Sequence, residues 1–383
     1  GDTGRTILVS LLEMYPQAAQ VPDTVDGSLP LHKIVENPKK QHWTHDGVVN
    51  VFTAHPLAAG IADGRGRLAL HRAAATVASS SLQQDSLEIQ ECSIIWNLVH
   101  EYPQGAYHAD QEGRLALHVV AQHGTGWGPE AQTIYEAHEV AVRVRAGNCL
   151  HNRLAIHLAA SNPNARVSLV ANLLERNPRG AMQADGRGKL PLHLACETGR
   201  EWPVVAKILE ANPAALGQPE GNQRGWTPLQ LAAASATGSE TTNCNVLQSL
   251  LQQNAPGADL KDNRGRYALH WVCATPRKNG WLEDVQALFE AYPDANIMGD
   301  SKQMLPFHIA ALTIADASSK EKPKKLLFTK RALQRGGGLH GSASELQEPT
   351  TENSSHEETL EDLDVLFELL RAHPTAISST FQH

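Results

Sequence analysis

The sequence predicts an all-α fold, a solenoid of about eight helix-turn-helix repeats with hairpin turns between them. Three observations predict it. First, one phrase returns eight times: an Asp or Asn, a Gly, a few apolar residues, then a His that opens an Ala-rich stretch. GSLPLH ends at His32, GRLALH at His71 and again at His118, NRLAIH at His157, GKLPLH at His193, GRYALH at His270 and QMLPFH at His308, while GWTPLQ ends at Gln230. Second, successive copies stand 39, 47, 39, 36, 37, 40 and 38 residues apart, which is the period range of helical repeat arrays. Third, a Tyr-Pro, His-Pro or Asn-Pro pair recurs between the copies, at Pro16, Pro56, Pro103, Pro178, Pro213, Pro293 and Pro374, with Pro256 following approximately.

Residues 167–212 show why each element forms. VSLVANLLER places Val167, Leu169, Val170, Leu173 and Leu174 near a 3.6-residue period, so it reads as an amphipathic helix. Asn177-Pro178 stops that helix, because the residue before Pro is pushed out of the helical region. ADGRGK is a turn. Leu190-Pro191-Leu192-His193 opens the inner helix, with Pro tolerated in its first turn. Eight residues before the motif position stands Asp63, Asp110, Asp185, Asn222, Asp262 or Asp300, and five before it stands Gly27, Gly66, Gly113, Gly188, Gly225 or Gly265. Asx side chains bond the backbone two residues on, and Gly permits the positive φ of a tight turn. A Gly or Ala follows two residues after every recurrent Pro.

Two stretches depart from the period. The fourth repeat has an outer helix near 131–145 without its terminal Pro, and its turn, AGNCLHN, lacks the usual Asp and Gly. With Gly124, Gly126 and Gly128 just before, a local change of geometry is expected there. Residues 316–359 run from a Lys/Arg-rich half through three Gly to a Ser/Thr/Glu-rich half, a composition that does not support a packed core. The domain reading is therefore an array over 1–315, an inserted charged loop over 316–359, and a final outer helix with its tail over 360–383. In this register the first outer helix, residues 7–15, is without an inner helix of its own, and terminal repeats need caps.

These residues resemble the ankyrin repeat. Its Asp-x-x-Gly-x-Thr-Pro-Leu-His phrase followed by Ala-Ala is nearly intact in NQRGWTPLQLAAA and DGRGKLPLHLAC. The resemblance covers about residues 5–315, with one more helix near 360–371. It implies a solenoid of stacked helix pairs that recognises other proteins. The period exceeds the usual 33, Leu replaces Thr in most copies, and the outer helix ends in Pro-x-small, so the array is a divergent one.

Composition agrees. Of 383 residues, 41% are hydrophobic and only 5% aromatic, as Ala- and Leu-mediated helix packing allows, and the net charge is −8. That charge disfavours nucleic acid and anionic membranes as partners. No apolar run approaches 18 residues, so no membrane insertion is expected. The five Cys show no metal spacing or CxxC pair. They read as small buried hydrophobes and point to an intracellular setting, cytoplasmic first and nuclear second. A His ladder at helix-packing spacing of about 8–10 Å cannot converge on one metal. HEVAV at 138–142 lacks the second His of a zincin helix, and GTGWG at 124–128 follows no strand. No catalytic residue, cofactor, metal or small-molecule ligand is indicated.

The candidate partner-binding residues lie beside the frame. Four before the motif position stand Arg67, Arg114, Arg153, Lys189 and Arg266; six before it stand Arg65, Arg187, Arg224, Arg264 and Lys302. Repetition lines these up as a basic stripe on the turn tips, unless each Arg is neutralised by a turn Asp such as Asp63. The residue just after the motif position varies and, by the resemblance, faces the recognition surface. Arg72 and Trp271 stand there, and Trp226 joins them from the turn. The reading that follows is a non-enzymatic protein-interaction scaffold, with an acidic segment as the partner suggested by the stripe. The alternative is a structural subunit packed permanently in a larger assembly.

Overall fold

A computed structural model of the protein describes residues 2–37, 43, 47–76, 93–222, 224–235, 243–253, 255–275 and 281–320. Two compact units divide the chain at Pro228 and Leu229. The described residues form sixteen α-helices that alternate between an outer and an inner type. The outer helices are α1 (Asp2–Met14), α3 (Val48–Ala54), α5 (Ile94–Glu101), α7 (Pro129–Ala137), α9 (Val167–Arg176), α11 (Trp202–Ala211), α13 (Asn243–Gln253) and α15 (Trp281–Ala291). The inner ones are α2 (Pro30–Val35), α4 (Ala69–Thr76), α6 (Ala116–His123), α8 (Ala155–Ser161), α10 (Pro191–Glu197), α12 (Pro228–Ala234), α14 (Ala268–Ala274) and α16 (Pro306–Lys320). This is the predicted all-α, ankyrin-like solenoid. The helix α16 runs to Lys320, five residues beyond the boundary read from sequence at 315. Residues 321–359 and the outer helix and tail expected at 360–383 lie outside the described residues.

Packing follows the repeat. In the first unit the inner helices touch in succession, α2 on α4, α4 on α6, α6 on α8 and α8 on α10, and each of α3, α5, α7, α9 and α11 rests on the inner helix just before it. In the second unit α14 packs on α15 and α16. The apolar faces read from periodicity are the buried ones: Leu169, Val170, Leu173 and Leu174 of α9, and Val204, Val205, Ile208 and Leu209 of α11. Each such side chain contributes about 1.5–3 kcal/mol through removal from water.

Among the described residues, six outer helices end at a recurrent Pro as the X-Pro rule requires. Tyr15, His55, Tyr102, Asn177, Asn212 and Tyr292 have φ between −138° and −149° and ψ between 72° and 84°. A 3-10 turn follows each, as in Pro178–Met182. The fourth repeat keeps this geometry without Pro, at His138 (φ −147°, ψ 77°). The X side chain also ties repeats together. Asn177 Nδ2 donates to Val142 O at 3.0 Å, Asn212 Nδ2 donates to Ala181 O at 3.0 Å, and His138 Nδ1 sits 3.2 Å from Ala106 O, all equivalent carbonyls in the preceding 3-10 turn.

The turns owe their form to two residues. The buried Asp accepts N–H bonds from the residues two and four on: Arg65 and Arg67 for Asp63, Glu112 and Arg114 for Asp110, Arg187 and Lys189 for Asp185. The position five before the motif residue is left-handed in all eight copies. Six are the Gly named above, and the two without Gly, Asn152 (φ 53°) and Gln303 (φ 60°), adopt the same conformation. The fourth turn differs as expected, with a short 3-10 stretch Asn148–Leu150 and a second left-handed residue, His151. Successive turns are joined by a backbone bond, from Gly64 N to Asp26 O, Gln111 N to Arg65 O, Gly147 N to Glu112 O, Gly186 N to His151 O and Gly221 N to Gly188 O.

That bond requires close approach. A Cβ on Gly188 would lie 2.4 Å from Gly221 Cα, whereas one on Gly27 would meet Gly64 N at 3.3 Å. Both have positive φ. Gly27→Ala is therefore expected to cost about 1 kcal/mol, the strain of a left-handed side chain. Gly188→Ala adds a backbone overlap and is expected to cost roughly 3 kcal/mol, in the tail of mutational effects. Urea melts of the two variants check the order; equal losses would show that turn contact does not govern the joint.

Candidate partner-binding surface

The surface is built on the repeated His, whose role is structural. Its Nδ1 accepts the backbone N–H of the residue three before it, closing the inner helix start: Leu68 for His71 (3.3 Å), Leu115 for His118 (3.0 Å), Leu154 for His157 (3.2 Å) and Leu190 for His193 (3.0 Å). This is one arm of a capping box. With Nδ1 accepting, Nε2 carries the proton and donates to the next repeat: to Arg114 O (3.1 Å), Val144 O (2.9 Å), Gln183 O (2.9 Å) and Gln218 O (2.9 Å) respectively. The copy with Gln230 makes the same crossing, its amide donating to Leu260 O at 2.9 Å and Arg266 O at 3.1 Å.

Burial holds these imidazoles neutral. It pushes His71, His118, His157, His193 and His270 down to about 4, and it lowers His32 as well. The motif is therefore a joint between repeats. Among the described residues no cluster of His, Cys, Asp and Glu could hold a metal ion. Cys196 and Cys273 are buried, and burial alone raises both thiols to about 12, which leaves them unreactive.

The basic residues four before the motif position turn inward. Arg67 Nε lies 3.0 Å from Asp63 Oδ2 and Arg114 Nη2 2.8 Å from Asp110 Oδ2. Arg153 and Arg266 reach the Asp of the following turn, Asp185 at 3.1 Å and Asp300 at 2.9 Å. Lys189 is buried, with Nζ 2.6 Å from Glu197 and 3.4 Å from Glu220. Burial pushes the Asp185 carboxyl upward, but the Lys189 backbone N–H and the Arg153 side chain outweigh it and hold it below the usual carboxylate range. This row is a set of structural ion pairs, so the expectation that it forms part of an open basic stripe is corrected.

The residue after the motif position is corrected too. Arg72 is buried beneath Asp63, Asp26 and Glu36, at 2.7, 3.0 and 2.6 Å. Val119, Leu158, Leu194, Leu231 and Ile309 at the same position are buried. Trp271 is half-buried; its Nε1 donates to Asp262 Oδ2 at 3.2 Å and Arg266 lies 4.9 Å over its ring.

The row six before the motif position is different. Arg65, Arg187 and Arg224 in the first unit, and Arg264 and Lys302 in the second, are exposed and carry no ion pair among the described residues. Arg224 stacks 5.1 Å over Trp226, which is half-buried. Their backbones sit in the turn ladder, with Gln111 N bonded to Arg65 O and Ser301 N to Arg264 O, so each unit holds its tips in fixed positions. The turn-centred reading missed a contact between outer helices, where Arg176 of α9 lies over Trp127 at 4.4 Å and over Tyr135 of α7 at 4.8 Å. Only the spacing between repeats reveals that pairing.

The fold and its joints define a helical repeat protein whose frame residues are engaged in structure. Residues 156–255 match the family model for ankyrin repeats, in three copies. No curated protein matches the chain. Among solved structures 379 chains match. One belongs to the complex of the Bd0816 predatory endopeptidase from Bdellovibrio bacteriovorus with immunity protein Bd3460, at 18% identity, covering 54% of this chain and 97% of that chain, with a TM-score of 0.42. No helix among the described residues is long and apolar enough to cross a membrane.

The joint makes stability depend on pH. Above pH 6.5 the His side chains are neutral folded and unfolded. Between 6.5 and about 4 only the unfolded chain takes up protons, so each buried His removes about 1.4 kcal/mol per pH unit as pH falls. Urea melts of the wild type are expected to weaken steeply over that window. His157→Gln, which copies the joint at Gln230, should reduce the slope by about 1.4 kcal/mol per pH unit while leaving stability at pH 7.5 within about 1.5 kcal/mol. An unchanged slope would mean that His157 does not stay neutral in the folded protein.

Proposed function

We propose that this protein is a non-enzymatic interaction scaffold that binds a protein partner through its turn tips, the partner presenting an acidic segment. Three ankyrin repeats at residues 156–255 support an interaction module. The observation that carries the finer reading is the contrast between the two basic rows. Both recur with the repeat, yet one spends its charge on buried carboxylates while the other leaves Arg65, Arg187, Arg224, Arg264 and Lys302 exposed. Guanidinium groups on fixed tips suit carboxylates, which they engage in bidentate fashion. Arg224 on Trp226 and the edge of Trp271 add flat apolar area beside the charge. The net charge of −8 makes nucleic acid a poor partner for the whole molecule.

The two rows separate binding from stability. Arg65→Ser, Arg187→Ser, Arg224→Ser and Arg264→Ser combined are expected to keep the folding free energy within about 1 kcal/mol, since exposed residues rarely contribute more. The same variant should weaken binding of a partner captured from the native source at least tenfold, and binding to the wild type should fall between 50 and 300 mM salt. Arg114→Ser with Arg153→Ser should instead lower stability by about 3–5 kcal/mol, through the Asp110 and Asp185 carboxylates left without their cations. Undiminished partner binding in the quadruple variant would overturn the turn-tip assignment.

A further inference from the structure

The 3-10 turns that follow the outer helices carry a second surface, made of residues other than the turn tips. Four of them come in succession in the first unit: Pro56–Gly60, Pro103–Tyr107, Glu139–Arg143 and Pro178–Met182. In each, the third and fourth residues are buried, as Ala58 with Ala59 and Gly180 with Ala181. A 3-10 helix has three residues per turn, so its second and fifth residues share one face. That face is exposed in all four turns and carries a large apolar side chain in each: Leu57 (76%), Tyr107 (57%), Val140 (57%) and Met182 (62%). Isolated exposed apolar residues are ordinary, but one on every turn of four consecutive repeats is a row, and such a row marks an interaction site.

The turns are held in line. His138 Nδ1 and Asn177 Nδ2 each meet the carbonyl of the fourth residue of the preceding turn, at 3.2 and 3.0 Å. Tyr102, just ahead of Pro103, lies against Gly60, where a Cβ would come within 3.0 Å of its ring. The Tyr107 ring stacks on His138 of the next repeat with centroids 4.1 Å apart, which braces it while it stays exposed.

The pitch of the row selects its occupant. Stacked helices stand about 8–10 Å apart, so the row offers one apolar side chain at about that interval. A polyproline II segment has three residues per turn and rises about 3.1 Å per residue, returning a side chain to one face every ~9.3 Å. A β-strand returns to one face at about 6.6 Å and an α-helix at about 5.4 Å, both out of step with the repeats. Polyproline II segments dock on aromatic side chains and keep their own carbonyls free to accept bonds. Tyr107 and the exposed Gln104 on the same face supply the ring and the donors. Charge distinguishes the two halves of the row. Arg143 and Arg179 share the face with Val140 and Met182, exposed and without an ion pair among the described residues. The carboxylate in these four turns, Glu139, stands in line with the buried Val142 instead. The row therefore runs from an uncharged half at Leu57 and Tyr107 to a cationic half.

We propose that the row from Leu57 to Met182 docks a proline-rich polyproline II segment of a partner protein, with apolar residues toward Leu57 and Tyr107 and carboxylates toward Arg143 and Arg179. The test uses the full chain and a synthetic peptide, two Pro-Pro-Leu triplets followed by two Pro-Pro-Glu triplets, together with its reversed sequence. Saturable binding of one of the two is expected by fluorescence anisotropy. Replacing each Pro-Pro by Ser-Gly removes the preformed helix and should weaken that binding about tenfold. Tyr107→Ala and Met182→Ser should each weaken it about tenfold. Arg143→Ser with Arg179→Ser should abolish the preference for Glu over Lys in the peptide. Saturable binding of neither peptide, equal binding of the Ser-Gly version, or undiminished binding by Tyr107→Ala would overturn the proposal. So would a dimer in sedimentation that Leu57→Glu with Met182→Glu converts to monomer, since a second copy would then hold the row. The quadruple Arg variant of the turn tips should bind the peptide as the wild type does; a loss there would place the peptide on the tips instead.

Discussion

The joints at His71, His118, His157 and His193 each depend on one neutral imidazole doing two jobs. The ring accepts a backbone N–H at the start of its own inner helix and donates across to a carbonyl of the next repeat. An unmade bond in that setting costs about 1–3 kcal/mol, more than a made one gains. The His consequently fixes where the helix starts and how far away the neighbour sits. The turn ladder acts at one end of each joint, and the Asn or His before the 3-10 turn acts at the other. With those distances set, a Cβ on Gly113 or Gly188 would overlap the backbone of the next turn, and the turn Asp comes within reach of a cation in its own or the next repeat.

The frame was legible because its determinants are local. An Asx turn, a left-handed Gly, a Pro at the first helical position and an X-Pro stop each act over a few residues, and all agreed in register. Even the lapses followed the frame: Asn152 and Gln303 take up the backbone angle of the glycines they replace, and His138 ends its helix as an Asn-Pro would. The surrounding structure there outweighs a local cost of about 1–2 kcal/mol.

The surface was only half legible, for a reason of range. Whether an Arg is free depends on carboxylates 32 to 46 residues away, as for Arg153 with Asp185 and Arg72 with Asp26. At Asp63 the carboxylate takes the Arg65 backbone N–H, but it is the Arg67 side chain that reaches it. The residue after the motif His, assigned to a recognition face, is buried at Arg72, Val119, Leu158, Leu194, Leu231 and Ile309 but not at Lys33 or Trp271. The sequence held a sign of this, since Val119, Leu158, Leu194, Leu231 and Ile309 are as apolar as the core positions beside them. Their variation reflects fitting between neighbouring helices, a constraint of volume that permits many solutions.

The substitution at Gln230 has a consequence for the chain as a whole. At the motif positions the first unit carries five imidazoles, His32, His71, His118, His157 and His193, whereas the second carries His270 and His308 beside the amide of Gln230. An amide has no proton to gain. Burial lowers all five rings of the first unit and lowers His270 in the second, so the two units differ in how many protons these buried rings draw in when they come apart. Mild acid is a discriminating solvent for this molecule: it loosens the half that holds more of the titrating rings and spares the half in which one ring has been exchanged for a group blind to pH.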